Sequence, residues 1–227
     1  MPTLSALTFY GSRLVITLLL LAFSRVDYAG MIDKEGMQAW EVCALCHNAN
    51  GISKMAKFPK LAGQKAIYIE QQIIAFREGR RLNDGGQMQS IVGEVAQEDV
   101  KKIAAYFSSL PPDTEFGNTG HKLGKSQAQK ISLGRSIFNE GRDQISSCAG
   151  CHINKESNAP WLDGQHKQYL EKQLHDFNSG ERESDCAVAK PEEGLRKNTL
   201  TRTSEHLEDA EIEALALYLS TLIWQRN

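Results

Sequence analysis

Long apolar runs are nearly absent from this chain of 227 residues. One exists, at residues 14–23, and the mean hydropathy is −0.40. That excludes a polytopic membrane protein. Excess charge of either sign is also absent: 26 Lys and Arg stand against 28 Asp and Glu, a net charge of −2. There is then no electrostatic reason to expect a nucleic-acid partner. Proline is scarce at six, and the 18 glycines follow no period, so a collagen-like or low-complexity chain is excluded. Apolar residues are not scarce. At 41% they suffice for a packed core, which excludes intrinsic disorder.

The one apolar run, LVITLLLLAF, follows Arg13 and precedes Ser24. About ten residues cannot cross roughly 30 Å of hydrocarbon as a helix. A positive flank, a short apolar centre and a small-residue exit read as a secretory signal peptide over residues 1–29, cleaved after Ala29. Asp27 fits the minus-three position poorly, so an uncleaved segment is the alternative and the one route to membrane association. The expected compartment is a bacterial periplasm.

In an oxidising compartment disulfides are the default for cysteine. Four of the five cysteines are spaced for something else. Cys43-Ala44-Leu45-Cys46-His47 and Cys148-Ala149-Gly150-Cys151-His152 are both C-x-x-C-H, the pattern of c-type haem attachment. Two thiols add to the two vinyl groups of one haem, and the next residue offers its imidazole to the iron. Two intervening residues make one helical turn and bring both sulfurs to one porphyrin edge. A zinc site would need further ligands at finger-like spacing, and the two motifs lie 105 residues apart. Two covalently bound haem c groups are therefore expected, with Cys43, Cys46, His47, Cys148, Cys151 and His152 as their attachment and proximal iron ligands.

The segments after the two motifs match each other. Pro59, Leu61, Gly63, Gln64, Tyr68, Glu70, Gln72, Phe76 and Gly79 recur at Pro160, Leu162, Gly164, Gln165, Tyr169, Glu171, Gln173, Phe177 and Gly180, nine identities in 21 positions at an offset of 101. IAAYFSSL at 103–110 answers ALALYLSTL at 214–222. The chain is a tandem duplication. Residues 111–120, with two prolines and two glycines, read as a linker. Periodicity is helical. Ile67, Ile69, Ile73, Ile74 and Phe76 outline one face, and Ile212, Leu215, Leu217, Tyr218 and Leu222 another, with no strand-like alternation competing. Halves this small build only modest cores, and a large apolar cofactor adds the missing buried surface. Each half reads as short helices wrapped on a haem.

With P-x-L-x-G-Q after each haem site and a Y-x-x-x-Q-[LI]-x-x-F-x-x-G helix, the chain resembles the diheme cytochromes c of the cytochrome c4 type. The resemblance implies an all-α protein of two tandem class I cytochrome c domains, at residues 30–110 and 131–227 about a linker at 111–130. It implies an electron carrier serving a terminal oxidase or a periplasmic dehydrogenase. It also implies that the carbonyls of Pro59 and Pro160 orient His47 and His152.

In that family a methionine before the last helix is the distal ligand. Met88, in the loop 83–90 and eighteen residues before Tyr106, fits that place. Its thioether would raise the potential of the first haem. Eighteen residues before Tyr218 stands Leu200, which cannot bind iron, and no methionine follows position 88. The spacing from the matched phenylalanine grows from twelve residues to 23, so residues 181–203 are rewritten. Cys186, His206, Lys190, Lys197, water or nothing could stand in for the missing ligand. His166 and His175 read as helix-surface residues, and His121 lies in the linker. Two six-coordinate haems make an electron carrier. An exchangeable second site would allow an enzyme acting on a small sulfur species or a peroxide, or a gas sensor. Arg77, Arg80 and Arg81 read as a solvated helix end or a docking patch, and the acidic run 205–213 as the start of the last helix.

Overall fold

The first repeat opens with α1 (Glu41–His47), the helix that carries the first C-x-x-C-H. Then come α2 (Ala66–Arg77), α3 (Gln87–Gly93) and α4 (Val100–Ser109), the last entered through a 3₁₀ turn at Gln97–Asp99. The second repeat comprises α5 (Lys125–Glu140), α6 (Ala149–His152), α7 (Lys167–Ser179) and α8 (Asp209–Thr221). The computed structural model describes residue 32 and residues 34–114, 124–182 and 206–223. The signal segment, His121, Cys186, Lys190, Lys197 and Leu200 lie outside the described residues. Among those described there is no β-strand, only an isolated bridge between Arg142 and Ile145. The described residues from Lys34 on, those of both repeats included, form one compact unit.

Each repeat has its own core. In the first, α2 packs on α3 and α4, burying Ile69, Ile73 and Phe76 against Val92, Ile103 and Phe107. In the second, α8 packs on α5 and α7, with Ile212, Leu215 and Leu219 against Ile137, Phe138 and Leu170. Each such side chain contributes about 1.5–3 kcal/mol when fully buried. The helical faces differ in detail from the periodicity. Ile67 is exposed and Gln72 is buried on α2. On α8, Leu217 and Tyr218 are half-buried and Leu219 takes the core position. On α2 a contact from outside the helix decides the face. Gln72 turns in because the other repeat covers it with Arg182.

Helix α5 was not legible as an element. It starts at Lys125, within the stretch read as linker, and its sequence is mostly polar. It is held by a close crossing with α8 at Gly134. A Cβ there would stand 2.1 Å from the Ala214 carbonyl oxygen, so only glycine lets the two backbones approach. Gly51 has a similar role in the loop after the first haem motif. Its φ is +69°, its carbonyl accepts from the N–H groups of Leu61 and Ala62, and an added Cβ would lie 2.8 Å from Ala62 N. Helix α8 begins in the acidic run, with a capping box between Glu208 and Glu211. Glu211 also pairs with Arg142 at 2.5 Å, and that bond holds its carboxyl below the usual range. Trp40 stacks on Tyr106, ring centroids 4.0 Å apart.

Candidate haem-binding cavity

One cavity of about 870 Å³ runs between the two repeats. Cys43, Cys46, His47 and Met88 line it from the first repeat, and Cys148 and His152 from the second. Cys43, Cys46 and His47 lie on α1 within one turn of each other. Cys148 caps the single-turn α6, which ends on His152. Cys151 is exposed and does not line the cavity. Burial pushes the Cys43 and Cys148 thiols up to about 11. They face the apolar wall as neutral thiols.

Both imidazoles are buried and held alike. His47 Nδ1 donates to the Pro59 carbonyl at 2.8 Å, and His152 Nδ1 to the Pro160 carbonyl at 2.7 Å. A carbonyl can only accept, so Nδ1 carries the proton and Nε2 keeps the lone pair. Burial also pushes the His47 pKa down, with the Pro59 bond opposing, which favours the neutral ring. Met88 opens α3. Gly86, at φ +82°, sets the turn, and the Asp84 carboxylate accepts from the N–H groups of Gly86 and Met88. The thioether is thereby placed at the cavity by its own backbone. Of the described alternatives for the second half, His206 is exposed and does not line the cavity.

The wall between the repeats is polar and pseudo-symmetric at the same offset of 101. Arg81 donates to Gln72, to Tyr169 Oη at 3.1 Å and to Gln173 Oε1 at 3.0 Å. Arg182 donates to Gln173, to Tyr68 Oη at 3.2 Å and to Gln72 Oε1 at 3.0 Å. Each guanidinium also covers the phenylalanine of its own repeat, Phe76 or Phe177. Burial pushes the Tyr169 phenol up, but the two guanidiniums outweigh it and leave it below the usual range. Arg81 is thus not part of a surface patch. Of the three arginines read together, Arg77 donates to the Val92 and Val95 carbonyls, and only Arg80 is exposed, paired with Glu78. His166 is likewise buried, not on the surface. Its Nε2 lies 3.0 Å from the Ser53 carbonyl of the first repeat, and His175 is the exposed one.

Arg182→Leu should cost about 2–3 kcal/mol of unfolding free energy, because it leaves oxygens of Tyr68, Gln72 and Gln173 short of a charged donor. Denaturant unfolding at constant m would measure it, and a loss under 0.5 kcal/mol would contradict the role given to the clasp.

These residues fit a haem. The group needs an apolar pocket, thiols, a neutral imidazole lone pair and cationic donors for its carboxylates. The cavity offers all four. Arg182 Nε supplies the sharpest sign: it is the one buried side-chain nitrogen or oxygen among the described residues without a hydrogen-bond partner.

Comparison with known proteins agrees. The cytochrome c family model matches residues 34–111 and again 131–222. Cytochrome c4 of Azotobacter vinelandii is 32% identical over 189 residues, covering 77% of this chain and 86% of that one. The thiosulfate dehydrogenase electron acceptor of Stutzerimonas stutzeri (strain A1501) is 29% identical over 187 residues, covering 79% and 78%. The solved cytochrome c4 of Acidithiobacillus ferrooxidans superposes with a TM-score of 0.65 at 25% identity, covering 80% of this chain and 99% of that one. Two matched regions, one C-x-x-C-H in each, account for two covalently bound haem c groups. The chain belongs to the cytochrome c family, as a diheme electron-transfer cytochrome of the c4 type.

Proposed function

We propose that this cytochrome carries electrons in the periplasm, from a dehydrogenase to a terminal oxidase or a similar acceptor. The relative that is a thiosulfate dehydrogenase electron acceptor supports a periplasmic dehydrogenase as donor. Residues 1–29 are the signal peptide, 30–110 and 131–227 the two domains, and 111–130 the linker. Cys43 and Cys46 attach the first haem, and His47 and Met88 hold its iron. Cys148 and Cys151 attach the second, and His152 holds its iron.

Each haem supplies a one-electron couple when bound. The chain's residues do the rest. The Pro59 and Pro160 carbonyls fix the tautomer and direction of the two imidazoles. The apolar side chains that line the cavity, among them Ile69, Phe76, Leu170 and Phe177, would surround each haem with groups that reorganise little on electron transfer. Met88 adds a soft ligand to one site, and no methionine of the second repeat can do the same. The first domain is therefore the higher-potential end and the second the donor end. The observation that carries this reading is the pair of His-to-Pro carbonyl bonds opening on one cavity.

Redox titration of the reduced protein, with and without carbon monoxide, tests it. Two separated one-electron waves are expected, and a low-spin spectrum that the gas leaves unchanged. Two overlapping high potentials would contradict the unequal sites. The missing second methionine favours one rival, chemistry at the second haem on a small sulfur compound or a peroxide. Turnover of thiosulfate or peroxide that is lost in His152→Ala would establish that rival instead.

A further inference from the structure

We propose that Gln64 and Gln165 are crossed positioning residues: each tunes the proximal histidine of the other domain. This rests on the assignment of His47 and His152 as iron ligands. Lys60 N–H donates to Gln165 Oε1 at 2.9 Å, and Gln165 Nε2 donates back to the Lys60 carbonyl at 3.0 Å. Trp161 N–H donates to Gln64 Oε1 at 2.9 Å, and Gln64 Nε2 to the Trp161 carbonyl at 2.9 Å. Lys60 directly follows Pro59, and Trp161 directly follows Pro160. The peptide group that takes the His47 proton at its oxygen thus gives its own N–H to the second domain. The Pro160–Trp161 peptide does the reverse.

A peptide group is one conjugated unit. An acceptor on its N–H pushes electron density onto its oxygen, and hydrogen bonds in such a chain strengthen one another. The Gln165 amide therefore makes the Pro59 carbonyl a better acceptor for His47 Nδ1–H. A stronger bond there makes the imidazole a more basic ligand and favours the oxidised iron. Both glutamines are buried, at 5% and 8% exposure, so water does not substitute for them.

The test uses the full holoprotein. Gln165→Leu is expected to favour reduction of the first haem by about threefold, a fraction of the 10–100-fold that a direct partner of a metal ligand is worth. At 59 mV per tenfold for one electron this is a rise of about 28 mV. The second haem should stay in place. Gln64→Leu should raise the second haem and leave the first. Met88→Leu identifies which wave belongs to which haem. In the reduced protein the Nδ1–H proton resonance of His47 should move in Gln165→Leu while that of His152 does not. Gln165→Glu keeps an oxygen on Lys60 N–H and should leave the first haem at or below its parent value. If either leucine variant fails to fold, the other carries the same crossed test.

Equal shifts of both haems, a shift confined to the mutated domain, or an unmoved Nδ1–H resonance would each overturn the proposal. Failure of the ligand assignment looks different. In that case His47→Ala and His152→Ala would leave both low-spin spectra intact.

Discussion

Met88→Leu is expected to lower the first haem's midpoint potential by on the order of 0.1 V or more, within the roughly 0.8 V that axial ligands span. The thioether is a soft donor that favours ferrous iron, and leucine has no lone pair. The second repeat already carries the comparison, with Leu200 at the matching distance before Tyr218. The substitution should cost little stability. Leucine and methionine have similar volumes, and such swaps usually cost less than about 1.5 kcal/mol. The turn that places residue 88 is built from Gly86 and the Asp84 carboxylate through backbone N–H groups, and these do not depend on the side chain. Spectroelectrochemical titration should therefore show the upper wave moving toward the lower in a protein that still folds. The reduced variant should also bind carbon monoxide at the first haem. An unmoved upper wave would remove Met88 from the iron.

Gly134→Ala should destabilise the protein by about 3 kcal/mol or more, or roughly 6–12 °C in Tm. Alanine normally stabilises a helix interior relative to glycine, so the expected sign runs against propensity. The reason is the crossing of α5 and α8. The new Cβ would meet the Ala214 carbonyl at 2.1 and 2.6 Å and Tyr218 Cβ at 2.9 Å. No flexible side chain can give way there. The obstacle is α8 backbone, fixed in turn by Ile212, Ala214, Leu215 and Ala216, each no more than 2% exposed. Gly93→Ala is the control, since a Cβ there meets nothing within 4 Å. Thermal unfolding should place Gly93→Ala at or slightly above the parent. Equal Tm values for the two variants would mean that α5 does not pack as described.

Covalent chemistry was readable from residues alone because it depends on short spacings. C-x-x-C-H, the proline that follows it and the missing second methionine are all local facts. The matched helices α2 and α7 were readable for a similar reason, since a 3.6-residue period and an offset of 101 survive in a string. His166 and Arg81 were misread by the same local logic. Each sits where an isolated helix or its end would meet water, and each is covered by the other repeat.

By itself the sequence determined that this is a doubled chain with one C-x-x-C-H per half and no methionine after position 88. Only the tertiary structure decided that the halves share one cavity and interlock through Gln64 with Trp161, Gln165 with Lys60, and Arg81 beside Arg182. A repeat marks which positions are equivalent. Which equivalent positions touch depends on the rotation that docks one half on the other. At that rotation the glutamine amides and the oxygens of the clasp find partners in the opposite half, a condition no single segment carries.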